Sequence, residues 1–172
     1  KSAATYHGRL GIIGVGKAVP EVIEALTSLG AARYSDHGIG LLSVGMPWPI
    51  APQILIDFAS RYDEILVVEE KRPIVEDQLA RVVVNLKKRA VISGKQCPDG
   101  TPLIPQTGEL SHRLLCDVIH ARAASHGIIL AALSAAEQPT DLPAIATRTP
   151  WYCAGCPHNS STKLPEGEIT GM

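Results

Sequence analysis

Four short apolar runs alternate with segments of helical spacing, and that alternation leaves few folds open to the chain. The runs are Arg9–Val15, Ile39–Val44, Glu64–Glu69 and Ala90–Ser93, rich in Ile, Leu and Val, and they read as buried strands. Between them, Val19–Leu29 sets Val22, Ile23, Leu26 and Leu29 on one side. Gln53–Arg61 does the same with Ile54, Leu55 and Phe58, and Ile74–Leu86 with Val75, Leu79, Val82, Val83 and Leu86. Strands separated by one helix each pair in parallel through right-handed crossovers. The expected fold is therefore α/β, a three-layer α/β/α sandwich with a mainly parallel sheet.

Punctuation residues agree. Gly30 stands where a helix C-cap belongs, and Pro52 and Pro73 sit at helix starts, where a missing amide costs little. Residues 94–108 read as a loop with turn chemistry at Cys97-Pro98-Asp99-Gly100. Glu109–Ser125 carries a last amphipathic helix through Leu110, Leu114, Leu115, Val118, Ile119 and Arg122, and Ala131–Ala136 extends helical composition. Pro139, Pro143 and Pro150 mark a linker over 138–150. The chain thus divides into an α/β domain over 1–137, that linker, and the opening of a further domain over 151–172.

Composition excludes several functions. With 16 basic and 17 acidic residues the formal charge is −1, and no run of either sign marks a nucleic-acid or anionic membrane surface. Aromatics at 4% argue against base stacking. The longest apolar stretches, around Leu10–Val15 and Ile65–Val68, are too short to cross a bilayer. Lys1–His7 lacks the apolar centre of a secretory signal. Four cysteines, two of them in a close pair, do not make a disulfide scaffold, so a reducing cytoplasm is expected.

Gly11-Ile12-Ile13-Gly14-Val15-Gly16-Lys17 matches a phosphate-binding P-loop as far as its lysine. Ala18 replaces the hydroxyl residue that would hold Mg²⁺, and Gly11 and Gly14 fall inside the expected strand. The plainer reading is a tight strand-to-helix turn with close helix packing. Glu69-Glu70-Lys71-Arg72 follows a buried strand, at the carboxyl end where open α/β sheets place ligands. It reads as a solvated strand end capped by charges, with an interdomain ion-pair network or ligand contact as the alternative. Trp48, in Gly45-Met46-Pro47-Trp48-Pro49, reads as an interdomain packing anchor. Cys116 lies on the apolar side of a helix and reads as core filler, while Cys97 is isolated. His7, His37, His112, His120 and His126 occur singly and receive no role.

The second chemical signal is Cys153-Ala154-Gly155-Cys156, two thiols three positions apart around a glycine. Pro157 follows the second cysteine and removes haem attachment. Zinc could use Cys153, Cys156 and His158 but lacks an evident fourth ligand. An iron–sulfur cluster needs further thiolates, and none follows Cys156 in this chain. A site begun here and completed elsewhere, in a chain without an initiator Met, is expected to be a piece of a larger enzyme. Two other classes remain open: a free-standing nucleotide- or metal-binding module using Gly11–Lys17 or Cys153/Cys156, and a redox protein cycling a Cys153–Cys156 disulfide.

The string from Arg148 through Trp151, Cys153, Cys156, Pro157, His158 and Asn159 to Gly167 resembles the long, fused indolepyruvate ferredoxin oxidoreductases. These are thiamine-pyrophosphate-dependent 2-oxoacid:ferredoxin oxidoreductases. Further pieces are similar in the same order: Leu10-Gly11-Ile12 with Gly16-Lys17, Val44–Pro49, Val67–Pro73, and Gly94-Lys95 leading to Gly108-Glu109-Leu110. Ala18–Glu21 diverges from the family, and Tyr152 and Ala154 are variants within the motif. The resemblance implies a transketolase-C-terminal-like α/β domain followed by the start of the thiamine domain. It implies Cys153 and Cys156 as ligands of a [4Fe–4S] cluster, with His158 near the cofactor pocket. It also implies thiamine pyrophosphate, Mg²⁺, ferredoxin, coenzyme A and an aryl pyruvate for the full enzyme, expected as a homodimer in which this α/β domain packs against the thiamine domains of the same polypeptide and shapes the dimer. The chain alone is expected to be inactive, with no complete cofactor site.

Overall fold

The computed structural model describes residues 8–84, 86, 89–133 and 152–163. The chain divides into two compact units, Lys1–Ala135 and Ala136–Met172. The expected linker, Trp151, His7 and residues 134–136 lie outside the described residues.

In the first unit, four strands form one sheet: β1 (Gly8–Val15), β2 (Ile39–Val44), β3 (Tyr62–Val68) and β4 (Val91–Ser93). Their order is β2-β1-β3-β4 and every pairing is parallel. β1 lies inside the sheet, so Leu10, Ile12 and Ile13 are wholly buried. The helices are α1 (Ala18–Ser28), α2 (Pro52–Ala59), α3 (Ile74–Val83) and α4 (His112–Ser125). On one face, α1 and α4 pack Val22, Leu26, Leu115 and Ile119 against Leu10, Ile12, Leu66 and Val68. On the other, α2 and α3 pack Leu55, Val75 and Leu79 against Ile13, Ile65 and Val67. Successive strand residues feed opposite cores, which is the three-layer α/β/α sandwich the alternation implied.

Local chemistry sets the boundaries. Gly30 takes φ 77, and the backbone N–H groups of Gly30 and Ala31 donate to Thr27 O and Leu26 O, closing α1. α2 starts on Pro52 at its first turn. α4 begins at His112 and not at Glu109, because the Ser111 hydroxyl accepts the Leu114 N–H at 3.2 Å and caps the helix there. α3 stops at Val83, short of Leu86, in a run of β-branched residues that resist helix. Residues 131–133 are not helical; the Ala131 N–H donates to Leu29 O instead. Ile23 and Ile54, read as core-facing, are 45% and 51% exposed because they sit at the margins of their apolar stripes.

A slot between β1 and β2 is closed by one ring. Tyr62 lies over Gly8, Gly11 and Gly40, and a β-carbon on Gly8 or Gly40 would collide with it. Phe58 packs on the same ring at 4.9 Å between centroids. Gly11 is thus a packing residue within the sheet.

In the second unit the described residues form a turn at 153–156 and one short helix, α5 (His158–Ser161). Among the described residues no helix is long and apolar enough to cross a membrane.

Candidate functional site

The strand order reverses between β1 and β3, and the crevice beyond their carboxyl ends is where open α/β sheets bind ligands. Gly16 and Lys17 reach it from β1, and Glu69 and Glu70 from β3. Here Glu69 turns back onto the start of α3, and Lys17 and Glu70 pair at the surface.

Glu69 is 3% exposed and its carboxylate accepts the N–H groups of Ile74, Val75 and Glu76 at 3.0–3.2 Å. It therefore occupies the anion-binding start of α3 that a phosphate would need. Lys71, in the left-handed region at φ 56, turns the chain so that β3 and α3 meet at this carboxylate. The buried Lys95 ammonium donates to the Glu69 carbonyl, and the Lys95 N–H donates to Glu76 at 2.9 Å. Burial pushes the Lys95 ammonium down and the Glu76 carboxyl up. The expectation of a solvated, charge-capped strand end is thus corrected for Glu69, which is an internal helix cap.

Glu70 pairs with Lys17 at 3.2 Å, and Lys17 also meets Glu109 at 3.0 Å and Glu21 at 3.4 Å. Glu109 and Glu70 raise the Lys17 ammonium above its ordinary value. The glycines of the P-loop-like string do not form a phosphate cradle. Gly11 and Gly14 lie in β1, and Gly16, at φ 53, makes the turn into α1.

At the opposite end of β3 lies a cluster that sequence reading missed. Glu64 is 1% exposed and receives two hydrogen bonds from Arg122, at 2.7 and 2.6 Å, and one from Ser93 at 2.5 Å. His126 Nε2 contacts the same carboxylate at 2.7 Å. Burial raises the Glu64 carboxyl, and Arg122, Ser93 and His126 together outweigh it and hold it below the ordinary value. With every oxygen engaged within the fold, this cluster fastens α4 to β3 and β4.

The paired thiols lie on a turn in the second unit. The Cys156 N–H donates to Cys153 O at 3.0 Å, and Gly155, at φ 81, supplies the left-handed residue of the turn. Asn159 Nδ2 donates to the same Cys153 carbonyl at 3.1 Å. His158 brings Nδ1 within 3.1 Å of Cys156 Sγ and stacks on Tyr152 at 5.2 Å. Both thiols are free, Cys153 exposed and Cys156 half-buried. Cys97 is free and half-buried, and Cys116 is buried in the α1–α4 core. Among the described residues no three His, Cys, Asp or Glu side chains converge as a metal site. The chemistry of Cys153 and Cys156 fits half of a thiolate ligand set.

The profile of the indolepyruvate oxidoreductase domain matches residues 2–141, which span the whole α/β unit. The chain belongs to the indolepyruvate oxidoreductase domain family. Its similarity extends to indolepyruvate oxidoreductase subunit IorA of Methanothermobacter thermautotrophicus, 31% identical over 151 residues, 88% of this chain and 22% of that protein. IorA of Thermococcus kodakarensis is 28% identical over 153 residues, 89% of this chain and 22% of that protein. The chain thus spans about a fifth of the length of these relatives. Two solved structures overlap 70% of it at 15% identity. They are a 2-oxoglutarate:ferredoxin oxidoreductase from Magnetococcus marinus (TM-score 0.42, 18% of that chain) and a split-gene transketolase (TM-score 0.45, 40% of that chain).

Proposed function

We propose that this indolepyruvate oxidoreductase domain is the transketolase-C-terminal-like scaffold of an enzyme that oxidatively decarboxylates an aryl pyruvate. The products would be an acyl-CoA and reduced ferredoxin. Residues 151–172 would open its thiamine-pyrophosphate domain. The observation that carries this reading is the family match over 2–141, followed by the free Cys153/Cys156 pair. Thiamine pyrophosphate, when bound, supplies the electron sink for decarboxylation. Cys153 and Cys156 would hold one side of the iron–sulfur cluster, and the other thiolates would come from outside these residues. Gly155 and Asn159 shape the turn that presents both sulfurs, and His158 lies against Cys156.

The α/β unit itself is assigned a structural, interdomain role. At its switch-point crevice the buried Glu69 carboxylate already takes the N–H groups that open α3. A diphosphate and its Mg²⁺ would therefore bind on residues outside the unit. The test is anaerobic expression of the complete polypeptide that contains this chain. Indolepyruvate with coenzyme A should drive ferredoxin reduction, and the 172-residue chain alone should not. Absence of any aryl-pyruvate-dependent reduction in the complete, cofactor-loaded enzyme would overturn the reading.

A further inference from the structure

The loop after β2 turns its largest side chains outward. Met46 is 69% exposed and Trp48 62% exposed, with Ile54 of α2 and Ile74 of α3 also exposed beside them. Two hollows flank the Met46–Pro49 segment. One, of 350 Å³, is lined by Met46, Pro49, Ile50 and Ile54 among others; the second, of 270 Å³, lies under Trp48 against Ile74. Large apolar side chains grouped at the surface beside hollows suit an interaction site on a folded domain.

The loop is also held in place from beneath. Gln78 of α3 accepts the Ile50 N–H at 3.0 Å and donates to Pro47 O at 2.7 Å and to Ile74 O at 2.9 Å. One amide thus braces the backbone on both sides of Trp48 against α3. An exposed Trp on a braced loop beside hollows has the character of an interface anchor, since the loop needs little further ordering on binding. Arg72 and Arg81 line the hollow under Trp48 with a single carboxylate, Asp77, and neither arginine forms an ion pair among the described residues, so the lining carries a net positive charge.

We propose that this surface docks another part of the same polypeptide, through an apolar face that carries a carboxylate for Arg72 or Arg81. The curated relatives extend far beyond the 22% that this chain spans, so such a polypeptide holds ample chain to cover it. The inference rests on the reading of the chain as one domain of a longer oxidoreductase. It deepens that reading by naming the face through which the domain packs.

Hydroxyl-radical footprinting of the complete polypeptide tests it, because Trp and Met oxidise readily when wet. The oxidation rates of Trp48 and Met46 are measured in the native protein and again in urea. A docked anchor is fully desolvated, so native oxidation should be slower by on the order of tenfold. That protection should persist at dilutions where the subunit is monomeric. Native rates close to those in urea overturn the inference, and so does protection that vanishes with dilution, which assigns the surface to a second copy. Aryl-pyruvate oxidation is assayed on the same preparation. An active enzyme with an unprotected Trp48 defeats this inference alone, whereas a protected Trp48 in an enzyme inert toward aryl pyruvates defeats only the assigned reaction.

Discussion

Arg122 of α4 grips Glu64 of β3 through two hydrogen bonds, at 2.7 and 2.6 Å, with the carboxylate 1% exposed. Removing Arg122 leaves the Glu64 carboxylate buried with only Ser93 and His126, whereas removing the Glu64 charge leaves Arg122 partly open to water. Arg122→Met should therefore cost about 3–5 kcal/mol in denaturant unfolding at neutral pH, and Glu64→Gln less. The pH dependence has a definite sign. The Glu64 carboxyl is held below its ordinary value of 4.5 in the fold, so its contribution is complete above that pH. It disappears as the pH falls through the lower folded value. The stability gap between the native chain and Glu64→Gln should shrink steadily in acid. A gap constant from neutral pH into that acid range would remove Glu64 as the titrating group.

Glu69 closes the start of α3 with three N–H contacts from Ile74, Val75 and Glu76. Glu69→Ala should destabilise the chain by about 1–2 kcal/mol. Glu69→Gln, which keeps one acceptor oxygen but loses the charge facing the helix dipole, should fall between the two. Amide exchange resolves the cause: the Ile74–Glu76 amides should quicken, while those of β1 keep their protection relative to global unfolding. Unchanged exchange at the start of α3 would reject the capping role.

How far the residues alone reveal this architecture depends on the range of the interaction. β2 is bounded as expected, at Ile39–Val44, because Gly38 at φ 75 and Gly45 bracket it locally. α4 was expected to start at Glu109, since a periodic stripe beginning at Leu110 hides the cap at Ser111. Glu69 looked like a solvated charge because its partners lie five to seven residues later and converge only after the Lys71 turn. Arg122 was visible as a charge within the apolar stripe of α4. Its partner was not, since choosing Glu64 requires the strand order and the packing of α4 over β3. Tyr62, which fills the glycine slot, is likewise legible only once Gly8, Gly11 and Gly40 are known to lie side by side. The Cys153/Cys156 pair stands out in the sequence because its chemistry is local.

A β-carbon added at Gly40 would overlap the Tyr62 hydroxyl and ring. Gly40→Ala should therefore cost about 1–3 kcal/mol through overpacking. The same strain predicts rescue: Tyr62→Leu combined with Gly40→Ala should lose less than the sum of the single losses. Thermal unfolding of the four chains checks this. Strict additivity would mean that Gly40 is constrained by something other than the Tyr62 ring.

The thiols separate structural from ligand roles within one experiment. Cys153 and Cys156 sit on a turn and are at least partly open to solvent, whereas Cys116 is 1% exposed between α1 and α4. Burial raises the Cys116 thiol above its ordinary value, which keeps it protonated and unsuited to bind metal as thiolate. In the complete polypeptide, Cys153→Ser and Cys156→Ser should each lose most of the bound iron and the visible charge-transfer absorbance. Neither should shift the unfolding of the α/β unit, to which they do not belong. Cys116→Ser should do the reverse, costing about 1 kcal/mol for a buried hydroxyl whose neighbours Ala25 O and His112 Nε2 offset part of its desolvation, while iron content stays unchanged. Iron retained in both exposed-thiol variants would remove the pair from the ligand set. The family assignment, which rests on residues 2–141, would stand.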